Sequence, residues 1–102
     1  MTKPITDRAE VGIDFPDKTF WGSFGRDSRY DVGVDQDGAH IALNRARGEK
    51  RSVGFHIHHF LLADIIGDIA AGLEASEQLD EPHRDALFTA AAALRHALRK
   101  HR

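Results

Sequence analysis

The apolar pattern of this chain changes period once, close to His59, and that single change sets the order of its elements. Before it the repeat is two residues. Val11, Ile13 and Phe15 alternate with polar or small neighbours, as do Tyr30, Val32 and Val34. Ile41 and Leu43 continue the pattern, then Val53, Phe55 and Ile57, while Phe20 and Phe24 flank Gly22 in the same phase. A two-residue repeat is that of a strand with one buried face. Pro16-Asp17, Gly25 to Ser28, Gln36-Asp37-Gly38 and Ala46 to Lys50 supply turn chemistry between the runs. Connections this short join antiparallel neighbours. After His59 the repeat becomes helical: Leu61, Leu62, Ile65, Ile66, Ile69 and Leu73 recur on one side, with Asp64 and Asp68 opposite. A second helix follows, with Asp80 as its cap, Pro82 in its first turn and a stripe of Leu87, Ala91, Leu94 and Leu98. Strands followed by helices predict an α+β fold: an antiparallel meander of four to five strands, then two helices packed on one sheet face. At 102 residues the chain is expected to be a single domain, with the sheet over 10–57 and helices over 59–73 and 80–100.

Composition removes several function classes. The chain has no cysteine, which excludes disulfides, thiolate nucleophiles and Cys-ligated zinc. With 41% hydrophobic and 29% charged residues it has the balance of a globular domain. MTKPITDRAE has no apolar core of a secretory signal, and FLLA and AAAAL are too short to cross a bilayer. The expectation is a soluble, cytoplasmic protein with no membrane role. Ser23, Ser28, Ser52 and Ser76 lie outside any strand–turn–helix nucleophile motif, and GSFGRD is not followed by a helix that would cradle phosphate. Asp31 and Asp35 share a strand face, where paired carboxylates are ordinarily just solvated. The chain is expected not to be an enzyme.

The net charge of −2 conceals blocks. Residues 1–44 carry net −3, residues 45–51 (RARGEKR) net +3, residues 52–82 net −6, and residues 83–102 net +4. A basic loop and a basic tail are set against an acidic remainder. Either these are a solvated loop and a helix end whose cations suit its dipole, or they form a directional binding surface.

Register supplies a second candidate. If Ile41 faces Phe55 and Leu43 faces Val53, both apolar sets share one face and a five-residue loop joins the strands. His40 then opposes His56 on the other face, with His58 two residues along and His59 adjacent. His40, His56 and His58 are therefore candidate ligands for Zn or another divalent metal; the alternatives are plain solvated imidazoles or a pH-sensitive surface. No Asp or Glu within 52–63 completes the set. No other cofactor is indicated.

The stretch RYDVGVDQDGAHIALNRA, then RGEKRSVGFHIHHFLLADIIGDIAAGL, resembles the positive cofactor 4 family of single-stranded-DNA-binding transcriptional coactivators, related in fold to the whirly proteins. Tyr30, Val32, Val34 and Gly38 match its alternating strand and turn, and Ile41, Leu43 and Arg45 its next strand. Gly54, Phe55, His56 and Ile57 match the last strand, and Leu62, Ile65 and Ile69 the helix that follows. Residues 29–73 carry the resemblance, which implies transcription regulation, a homodimer and single-stranded DNA or RNA as partner. Independently, single-strand binding needs basic groups and aromatic platforms. Arg45, Arg47, Lys50 and Arg51 are concentrated in one loop. Trp21 is out of phase with Phe20 and Phe24, so it either stacks a base from an open face or covers an apolar edge. The alternative to nucleic acid is a protein partner, held by a sheet edge or the alanine-rich helix, as in an inhibitor or regulatory subunit.

Overall fold

The computed structural model describes residues 2–45, 48 and 50–101. Among them, six strands precede two helices: β1 (Thr2–Pro4), β2 (Ala9–Phe15), β3 (Lys18–Phe24), β4 (Ser28–Val34), β5 (Gly38–Arg45), β6 (Arg51–His58), α1 (His59–Ala75) and α2 (Glu81–Arg99). The chain is α+β, as the change of period predicts, and every strand pairing is antiparallel. The helix boundaries differ from expectation by one or two residues, which is the ordinary fraying of helix ends.

The strands form two sheets, ordered β1-β4-β5-β6 and β2-β3. β1 has no counterpart in the sequence reading, because three residues containing Pro4 show no alternation. It pairs only with β4, on the sheet edge where a proline is tolerated. β4 pairs with β1 and β5 rather than with β3, so β2 and β3 stand as a separate hairpin. That hairpin lies against β5. Ser28, 1% exposed, sits at the junction: its carbonyl accepts from the Ile5 N–H at 3.0 Å, and its N–H donates to the Gly25 carbonyl at 2.9 Å. Ile5, Phe24 and Ala39 are the buried apolar side chains among the described residues.

The expected hairpin register is present. Ile41 pairs with Phe55, Leu43 with Val53 and His40 with His56, and the loop runs between Arg45 and Arg51. Gly38 makes the β4–β5 turn possible beside β6: a Cβ there would run into the Ile57 carbonyl oxygen and approach His58 Cα at 2.8 Å.

The chain divides into two compact units, Met1–Ile65 and Ile66–Arg102. The first holds both sheets and the opening turns of α1. In the second, α2 is capped as its sequence suggests. Asp80 Oδ1 accepts from the His83 N–H at 3.0 Å, Pro82 lies in the first turn, and Arg99 ends the helix. Neither helix contains a buried residue. No helix among the described residues is long and apolar enough to cross a membrane.

Candidate nucleic-acid interface and histidine cluster

Alternation along β5 and β6 separates the two sets of candidate residues. Arg45 and Arg51 are in phase with Leu43 and Val53, while His40, His56 and His58 are in the opposite phase. The arginines and histidines therefore belong to opposite faces of the larger sheet.

The arginine face meets the hairpin. Trp21 projects from β3 and is 69% exposed. Its cross-strand partner is Gly12, and a Cβ on Gly12 would lie 2.9–3.0 Å from the indole ring. The indole thus lies across the glycine backbone with its outer face open. Arg51 Nη1 donates to the Trp21 carbonyl oxygen at 3.0 Å, tying the end of β6 to the hairpin. Arg45 is the direct register partner of Arg51. Like charges directly opposed across a ladder are unfavourable unless something compensates them. Arg45 Nε faces Asp27 Oδ2 at 3.7 Å, and that buried nitrogen makes no hydrogen bond.

Trp21, Arg45 and Arg51 share a cleft of about 340 Å³ with Arg8, Glu10, Gly22 and Ser23. A neighbouring cleft of about 450 Å³ shares Arg8, Ser23 and Arg45 and adds Arg26 with Asp7 and Asp27. Four guanidinium groups thus meet three carboxylates in these clefts, and two of the carboxylates are already paired, Glu10 with Arg8 at 3.4 Å and Asp27 with Arg45 at 3.7 Å. Asp14 is on the Trp21 face of the hairpin and accepts from the Thr19 hydroxyl at 2.7 Å. Lys50 is exposed and lines an adjoining, mainly apolar cleft with Val11, Ile13, Phe20 and Val53, which shares Trp21 and Arg51 with the groove. Arg47 lies outside the described residues. Sequence reasoning missed Arg8 and Arg26. Both flank strand ends, and placing them required the separate hairpin and the β1 edge.

On the other face, the His40 and His56 rings stack with centroids 3.9 Å apart and planes 5° apart. The His58 ring is 4.9 Å from His56. The carboxylate absent from 52–63 comes from the β4–β5 turn. Asp35 Oδ2 lies 2.7 Å from His40 Nε2 and 3.4 Å from His56 Nε2. Asp35 Oδ1 accepts the backbone N–H groups of Asp37 and Gly38, at 2.8 and 2.9 Å. The Asp37 N–H, the His40 ring and the Gly38 N–H, in that order, hold the Asp35 carboxyl far below the usual carboxylate range, with His56 adding to them against slight desolvation. The sequence reading puts Asp35 on a strand face with Asp31; β4 instead ends at Val34, Asp35 opens the turn that follows, and only the register of β4 on β5 brings it to His40.

No protein-family model, no curated protein and no solved structure matches this chain.

Proposed function

We propose that this protein is a small, non-enzymatic module that binds single-stranded nucleic acid along the groove between the β2–β3 hairpin and the ends of β5 and β6. One observation carries the reading: the opposed pair Arg45 and Arg51 lines one groove with an indole whose outer face is open. The guanidinium groups hold the phosphate backbone, and a base stacks on Trp21. Arg8 and Arg26 extend the positive track in the neighbouring cleft. Nothing in the arrangement distinguishes one base from another, so the preference is for single strands over duplex rather than for a sequence. This is the partner class that the coactivator resemblance implies, and transcription regulation is the process in which such a module would act. A labelled single-stranded oligonucleotide, titrated at low salt and followed by fluorescence anisotropy, tests it. Saturable binding that survives an excess of duplex competitor supports the reading; no binding at low salt, or displacement by duplex as readily as by single strand, ends it.

We further infer that the module works as a homodimer. The stripe of α2 is bare, with Leu87, Leu94 and Leu98 exposed at 47%, 44% and 62%. Isolated helices of this length are marginal in water without a packed face. The charges along α2 are self-complementary when two copies run antiparallel. Asp80, Glu81 and Asp85 lie at one end, with Arg84 among them; Arg95, Arg99 and Lys100 lie at the other. A two-fold axis would set each acidic end beside a basic one. Light scattering is expected to give twice the chain mass of 11.3 kDa, and a mass of one chain at the working concentration would rule the dimer out.

A further inference from the structure

We propose that Asp35, His40 and His56 form a binding site for a divalent transition-metal ion, best fitted to Zn²⁺, independent of the groove at Trp21. The donor set is two imidazole nitrogens and one carboxylate oxygen, all within 4.8 Å of one another. Two histidines and a carboxylate are a recurrent ligand set for such ions, leaving further positions for water. With metal–ligand bonds of about 2.0–2.1 Å, neighbouring donors of a tetrahedral ion lie roughly 3.4 Å apart. Asp35 Oδ2 and His56 Nε2 are separated by 3.4 Å. Asp35 Oδ2 and His40 Nε2, at 2.7 Å, are hydrogen-bonded and need to open slightly.

The backbone holds these donors in place. His40 and His56 are placed opposite each other by cross-strand register, and both Nε2 atoms reach the same Asp35 oxygen. Asp35 is oriented because its Oδ1 accepts two backbone N–H groups, which turns Oδ2 toward the two imidazoles as the ligating oxygen. The turn itself is held at both ends. Asp35 N–H donates to the Gly38 carbonyl at 2.9 Å, and His59 N–H donates to the Asp37 carbonyl at 3.1 Å. Ligation requires each ring to present its Nε2 lone pair, so the proton in the Asp35–His40 hydrogen bond moves to Nδ1 or leaves on binding. The His58 ring meets His56 at a tilt of 49° and is outside the ligand set.

The test is titration of the untagged full chain with Co²⁺, read by visible absorption, and with Zn²⁺, read by calorimetry. One equivalent per chain is expected. His40→Ala and His56→Ala should each weaken binding by at least about 10-fold, a loss at or above that seen when supporting residues are removed. Asp35→Asn keeps the acceptor oxygen for Asp37 and Gly38 and removes only the charge, so it should also lose about 10-fold with the turn intact. His83→Ala, far along the chain, should bind as the parent does, and His58→Ala should lose less than either ligand variant. Absence of a cobalt spectrum and of zinc heat in the parent protein would overturn the proposal. So would folded variants of His40 and His56 that bind like the parent, or a loss confined to His58→Ala.

Discussion

Replacing Trp21 by alanine separates stacking from charge in the proposed groove. The indole rests on Gly12 with one face and the residue as a whole is 69% exposed, so it offers a platform for one base. Loss of one base–aromatic stack costs about 1–3 kcal/mol, or roughly 5- to 150-fold in affinity. The salt dependence should not change, because no phosphate contact is removed. Four guanidinium groups, from Arg8, Arg26, Arg45 and Arg51, line the joined clefts. For single strands that predicts a log–log slope against salt of about −3, and a fall of roughly 50-fold between 50 and 200 mM. Arg45→Gln should flatten the slope by about 0.7 and weaken binding at low salt. The assay is oligonucleotide anisotropy over a salt series, with circular dichroism to show that each variant is folded. If Trp21→Ala changes the slope but not the low-salt affinity, or Arg45→Gln leaves the slope untouched, the division of labour in the groove is wrong.

Gly12→Val would place side-chain carbon where the indole now lies. Trp21 emission should shift and oligonucleotide affinity fall with an unchanged salt slope; an unchanged spectrum would mean the indole does not rest there. Gly38→Ala cannot be accommodated against the Ile57 carbonyl, and should cost at least about 1–3 kcal/mol in urea denaturation while disrupting the turn that carries Asp35. The folded Asp35 carboxyl is held below its unfolded value of about 3.9, so its contribution to stability is present above that pH and is lost as pH falls through the lower folded value. An acid titration should accordingly show a loss of stability below about pH 4 that Asp35→Asn reduces. Equal acid limbs for the two proteins would remove the proposed role of those hydrogen bonds.

Much of the fold was visible in the chain because apolar period is a local property. Residues 51–58 alternate and residues 59–75 do not, so the β6–α1 boundary is legible from Val53, Phe55, Ile57, Leu61 and Ile65 alone. The His40–His56 opposition was legible for the same reason: shifting the register by one residue would put Ile41 and Leu43 on the wrong face. What was hidden depended on pairings with no local signature. β1 is three residues long and is defined only by its partner β4. The separation of β2–β3 from the larger sheet depends on Ser28 and Ile5, whose burial no alternation announces. Arg8, Arg26 and Asp35 entered their sites through those pairings. Arg8 and Arg26 flank strand ends around the hairpin, and Asp35 is five residues from His40 across a turn. The exposure of Trp21 likewise required Gly12 opposite it, which only the hairpin register supplies.

The most direct test of the groove is an NMR titration with a short single-stranded oligonucleotide at low salt. The chain has one tryptophan, so its indole N–H gives a single unambiguous resonance. That resonance should move together with the Nε–H signals of Arg45 and Arg51, while the His40 and His56 rings on the opposite face stay still. Shifts confined to the histidine face or to α2, with the indole unmoved at saturation, would contradict the account.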